Sequence, residues 1–126
     1  MRKVLMVEDE PDFRAIVKRI LEPAGLEFEE AGSAEEAWAY LQKGGAADLL
    51  VVDWNLPGES GIEFCRRVRG DPRLGGLPLM ILTVRNLPEE QLEGLRESGA
   101  DLYLTKPINP KELLARVESL LAYLNR

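Results

Sequence analysis

Short unbroken apolar runs alternate along the chain with stretches in which apolar residues return every third or fourth position. Val4-Leu5-Met6-Val7 is the first such run. After it, Pro11 stands where a first helical turn tolerates proline. Phe13, Ile16, Val17, Ile20 and Leu21 then fall at i, i+3, i+4, i+7 and i+8, which predicts a helix with one buried stripe. Pro23 and Gly25 end it. Leu26 to Ala31 is a weak, partly acidic strand suited to a sheet edge. Ser33-Ala34-Glu35-Glu36 is a capping box, with Ala34, Ala37, Trp38 and Leu41 as the stripe behind it and Gly44-Gly45 as the stop.

The second half repeats the alternation. Leu49-Leu50-Val51-Val52 runs into Asp53, and Asn55, Pro57 and Gly58 turn the chain. Ser60-Gly61-Ile62-Glu63 is a second capping box, opening a helix through Val68 that Gly70-Asp71-Pro72 breaks. Leu77 to Thr83 is another apolar run. A helix after Pro88 has a thin stripe, Leu92 and Leu95, and stops at Gly99. Asp101 to Thr105 is a short strand. Asn109 then caps a last helix that buries Leu113, Leu114, Val117, Leu120, Leu121 and Leu124.

Five βα repeats of this kind imply an α/β fold: a doubly wound, five-stranded parallel sheet covered on both faces. Right-handed crossovers and the weak second strand favour the flavodoxin-like order 2-1-3-4-5. The whole of residues 1–126 is read as one domain.

Charge narrows the function. Sixteen basic against 22 acidic residues leave a net charge of −6, which argues against a nucleic-acid surface. The absence of histidine excludes His-based acid–base catalysis, Ser-His-Asp triads and His metal sites. Cys65 is alone beside Phe64 and Val68, so it reads as a packed hydrophobe in a reducing cytoplasm. The N-terminal apolar run is too short for a signal peptide or membrane span.

In a doubly wound sheet the working crevice lies beyond the carboxyl ends of the central strands. Strand one delivers Glu8 and Asp9 there, strand three Asp53 and Asn55, strand four Thr83, and strand five Lys106 and Pro107. Three crowded carboxylates call for a compensating cation, and hard oxygens without His or Cys favour Mg²⁺. With a lysine and a hydroxyl opposite, the set suits a phosphoryl group held on or near Asp53, the carboxylate acting as nucleophile.

These residues resemble the receiver domain of two-component response regulators across essentially the whole chain. The carriers are VEDE, VVDWNLPGESGIE, LT and GADLYLTKP. The intervals of 44 residues from Asp9 to Asp53, 30 to Thr83 and 23 to Lys106 agree with that family. The resemblance implies that Asp53 accepts a phosphoryl group from a sensor histidine kinase or phosphotransfer protein. It implies Mg²⁺ held by Glu8 or Asp9, by Asp53 and by the backbone carbonyl of Asn55. Lys106 would contact the phosphoryl oxygens, and its bond to Pro107 would be cis. Thr83 and Tyr103 would act as the switch, changing the face built from the fourth helix, fifth strand and fifth helix. Such a chain is a signalling domain, catalysing only its own phosphotransfer and slow self-dephosphorylation, and not an enzyme in the ordinary sense. It allows a homodimer through the switched face, where Asp101 and Arg116 retain charges the family uses. The chain reads either as a stand-alone receiver or as the front of a longer regulator.

Each residue taken singly has a plainer reading. Asp9 and Asp12 would cap and charge a helix turn, Asp53 would be a turn residue, and Thr83 a β-branched strand residue. Lys106 would be a solvated loop lysine and Tyr103 a static core aromatic. Convergence on one crevice outweighs these. Val84 departs from the small residue usual after the threonine and would narrow access to the site. Two alternatives stand beside the main reading: a phosphohydrolase of the haloacid-dehalogenase type, and a degenerate receiver that only docks partners. The first wants a second carboxylate where this chain has Asn55.

Overall fold

The computed structural model describes residues 1–124. The elements run β1 (Lys3–Val7), α1 (Pro11–Leu21), a 3₁₀ turn (Glu22–Ala24), β2 (Glu27–Ala31), α2 (Ala34–Gln42), β3 (Leu49–Val52), α3 (Gly61–Gly70), β4 (Leu79–Thr83), α4 (Pro88–Ser98), β5 (Leu102–Thr105) and α5 (Pro110–Leu124). All strand pairs are parallel, in the order β2-β1-β3-β4-β5, so the flavodoxin-like expectation holds.

The apolar strand runs are continuous because both faces of the sheet are covered, and the two-residue period assigns each side chain to a face. Leu5, Val7, Leu50, Val52, Leu79 and Ile81 form one core with Ala37, Leu41, Phe64, Cys65 and Val68 of α2 and α3. Val4, Met6, Leu49, Val51, Met80 and Leu82 form the other with Val17, Leu21, Leu113, Val117 and Leu121 of α1 and α5. The acidic strand β2 pairs with β1 alone, and Ala31 is its buried end. Among the described residues no helix is long and apolar enough to cross a membrane.

Caps follow the local chemistry. Ser33 Oγ accepts the Glu36 N–H at 3.1 Å, but Glu36 reaches back to the Gly32 N–H rather than to Ser33. Ser60 Oγ takes the Glu63 N–H and Asn109 Oδ1 takes that of Glu112. Among the described residues no side-chain hydrogen bond caps α1, whose N-cap is Glu10, while Asp12 places a negative charge in its first turn.

Two helical stripes differ from expectation. Ile16 is 46% exposed, because α1 presents only Val17 and Leu21 squarely to the sheet. Leu92 is 61% exposed, and α4 buries Gly94 and Ser98 instead. A Cβ at Gly94 would lie 2.7 Å from Tyr103 Cε2 and 3.1 Å from Trp54 Cζ3, so these aromatic rings occupy the space a larger residue would claim. The side chain of Leu124 lies outside the described residues.

Candidate functional site

Parallel register brings the acidic strand ends together. Val7 pairs with Val52, and the ladder continues one step further as the Asp53 N–H donates to Val7 O at 3.0 Å. Glu8 and Asp53 therefore leave the sheet side by side. On the other flank the Lys106 N–H donates to Thr83 O at 2.8 Å, tying the end of β5 to that of β4. The Lys106–Pro107 peptide bond is cis.

Lys106 bridges the two acids, its Nζ 2.6 Å from Glu8 Oε1 and 3.2 Å from Asp53 Oδ2. Its stem passes Phe13, with Nζ 4.2 Å from the ring centroid. Asp53 Oδ1 accepts the Asn55 N–H at 3.1 Å. Glu8 is fully buried and Asp53 nearly so, whereas Asp9 is exposed at the rim. One carboxylate oxygen from each of Glu8, Asp9 and Asp53 lies within 4.8 Å of the others. Thr83 Oγ1 is buried and is the one fully buried side-chain polar atom without a hydrogen-bond partner among the described residues. Such an orphan costs free energy unless an external group satisfies it.

Electrostatics follow from burial. Desolvation pushes the Glu8 carboxyl up to about 7, with Lys106 opposing and Asp53 adding to the rise. Burial pulls Lys106 down, but its bonds to Glu8 and the charge of Asp53 more than offset this, so its net direction is up. A second positive charge is thus wanted beside Glu8 and Asp53. The donor set is all hard oxygen, which fits a small divalent cation such as Mg²⁺. Cys65 takes no part: burial pushes its thiol up to about 12, as a packed hydrophobe requires.

The remaining predicted residues are close by. Tyr103 is half-buried, donates its hydroxyl to Arg85 O at 2.8 Å and meets Trp54 edge-on. Burial, with Glu90 nearby, pushes its phenol up to about 12, so it keeps the proton it donates. Val84 is exposed and lines a shallow apolar hollow of about 480 Å³ with Phe13, Ile16 and Ile108. Sequence reasoning missed Gly94 and Arg85, and it placed Gly61 in a capping box and a family motif without its steric role. Gly61 approaches the backbone of Asp53 so closely that a Cβ would fall 1.9 Å from its carbonyl oxygen. Gly94 makes room for Tyr103 and Trp54, and a glycine inside a helical pattern was the available signal. Arg85 joins the loops after β3 and β4, which nothing in a linear pattern reveals.

The family model of the response regulator receiver domain matches residues 4–118. The phosphate regulon transcriptional regulatory protein PhoB of Pseudomonas aeruginosa is 39% identical over 120 residues, covering 95% of this chain and 52% of that protein. Its namesake from Rhizobium meliloti is 42% identical over 119 residues, with 94% and 52% covered. The solved structure of the chemotaxis response regulator CheY4 of Vibrio cholerae gives a TM-score of 0.87 at 35% identity, over 95% of this chain and 98% of that one. The chain spans about half the length of the curated relatives it matches. Neither the phosphohydrolase alternative nor the degenerate docking module gains support from these matches. The family match takes in every crevice residue from Glu8 to Lys106, and the chain belongs to the response regulator receiver domain family of two-component systems.

Proposed function

We propose that Asp53 is a phosphoacceptor loaded by a sensor histidine kinase or phosphotransfer protein in a Mg²⁺-dependent reaction, in a cytoplasmic signalling protein. One observation carries this reading: Lys106 bridges Glu8 and Asp53, in the crevice where Asp9 joins the carboxylate group and Thr83 Oγ1 lacks a partner. An Asp53 carboxylate oxygen forms the new bond to phosphorus as the bond from phosphorus to the donor imidazole nitrogen breaks, its electron pair returning to nitrogen. Lys106 then faces the added negative charge, and Thr83 turns its hydroxyl to a phosphoryl oxygen. Glu8, Asp9, Asp53 and the Asn55 carbonyl are the residues that would hold Mg²⁺. The bound ion would supply charge neutralisation at the phosphoryl oxygens. Tyr103 and the α4–β5–α5 face are the proposed output. A homodimer could form across that face, where the exposed Asp101 accepts from Arg69 at 3.1 Å and from the Leu79 N–H at 2.9 Å, both through Oδ2.

Incubation with acetyl phosphate and Mg²⁺ is expected to add the mass of one phosphoryl group to the wild type and none to Asp53→Asn. Equal gain in both, or gain in neither, defeats the proposal.

The raised carboxyl of Glu8 adds a pH signature. Below about pH 7 it holds a proton that Mg²⁺ must displace, so apparent Mg²⁺ affinity climbs about tenfold between pH 6 and pH 8. Titrations followed by Trp54 emission check this, and a flat profile rules it out. Glu8→Gln is expected to flatten it.

A further inference from the structure

Arg85 makes four separate attachments at the mouth of the crevice. Its guanidinium lies over Trp54, with Cζ 4.2 Å from the ring centroid. Its Nε donates to Asn55 Oδ1 at 2.9 Å. One terminal nitrogen pairs with Glu90, in the first turn of α4, at 3.6 Å. Its backbone carbonyl accepts the Tyr103 hydroxyl at 2.8 Å. The first two contacts reach the loop that follows Asp53, the third reaches α4 and the fourth reaches β5.

A partly exposed pair such as Arg85–Glu90 would contribute little on its own. The stack and the Nε bond are different in kind, because they demand a planar cation with a donor set back from its tip. Arginine meets that demand and lysine does not. Arg85 also sits two residues beyond Thr83, the buried hydroxyl without a partner. Any motion of Thr83 toward an incoming group therefore pulls on a short segment whose far end is fastened to Asn55, Trp54 and Glu90. The same segment carries the carbonyl that holds Tyr103, whose ring shares with Trp54 the space left by Gly94.

We propose that Arg85 is a positioning residue that couples occupancy of the Asp53 crevice to Tyr103 and α4. The proposal rests on the phosphoacceptor reading and adds to it the route by which the mark is read out. With the guanidinium in place, the loops after β3 and β4 move as one body. A displacement of Asn55 or Thr83 then carries the Tyr103 hydroxyl acceptor and the Glu90 anchor with it. Without the guanidinium the loops move separately, and the crevice fills while α4 stays as it was.

The test uses the full chain as wild type, Arg85→Ala and Arg85→Lys, with beryllium fluoride and Mg²⁺ as the probe. Fluorine NMR of bound fluoride reports occupancy, and hydrogen exchange across Pro88–Ser98 reports α4. Occupancy is expected to stay within about threefold of wild type in both variants, while the probe-induced change in α4 exchange falls by roughly two-thirds or more. A full α4 response in Arg85→Ala overturns the proposal. A full response restored by Arg85→Lys overturns it too, since charge toward Glu90 would then suffice. Loss of occupancy in Arg85→Ala would assign the residue to binding and not to coupling. A wild type that binds no probe defeats the phosphoacceptor reading, and the coupling role falls with it.

Discussion

Gly61→Ala is expected to destabilise the protein by about 3 kcal/mol or more, the upper range for forcing volume into a packed site. The added Cβ would sit 1.9 Å from the Asp53 carbonyl oxygen and 2.8 Å from its carbonyl carbon. Backbone atoms cannot swing aside as a flexible side chain does. The start of α3 has to retreat, and that lengthens the 2.9 Å bond from the Gly61 N–H to Trp54 O. For a domain of this size the fall in thermal midpoint is about 10 °C or more. Gly70→Ala is the control: its Cβ would meet nothing within 4 Å and its helical setting favours alanine, so its midpoint should hold or rise. Midpoints for Gly61→Ala and wild type within about 2 °C would refute the close approach.

The second large effect is expected for Lys106→Met in the absence of metal, and it depends on pH. Lys106 is the cation within bonding distance of both Glu8 and Asp53, with a side chain 10% exposed. Removing one partner of a buried ion pair costs about 3 kcal/mol when the other stays charged. Glu8 escapes part of that cost by keeping its proton. Its folded carboxyl already lies at about 7, above the ordinary 4.5, and losing the lysine bond moves it higher. A carboxyl raised on folding binds more protons in the native state than in the unfolded one, so stability falls as pH climbs from about 4.5 through the folded value. The difference between wild type and Lys106→Met is therefore small near pH 5 and grows through pH 7 and above. Urea melts at the two ends of that range test it. A difference that does not change with pH would mean that Glu8 is not the titrating group. Added Mg²⁺ should recover part of the loss at high pH by restoring positive charge.

How far the fold could be read in advance depended on the length of chain each pattern involves. The runs Val4 to Val7 and Leu49 to Val52 declared themselves because a strand buried on both faces has no polar position to confuse it. The caps at Ser33, Ser60 and Asn109 were legible because their bonds span three residues. Ile16 and Leu92 misled, since helical spacing says which residues share a face but not how wide a neighbour covers it. The strand-end residues Glu8, Asp53, Thr83 and Lys106 were readable through the rule that parallel strands point one way.

The chain by itself determined the alternation of strand and helix, the acidic edge strand and the chemical types available at the crevice, because these depend on local period and composition. Only the tertiary structure decided that Lys106 lies between Glu8 and Asp53, that Gly61 and Gly94 must lack a side chain, and that Arg85 joins two loops. Those contacts link residues far apart in sequence across angstrom-scale gaps. Such gaps are set by how whole elements pack, which no local pattern encodes.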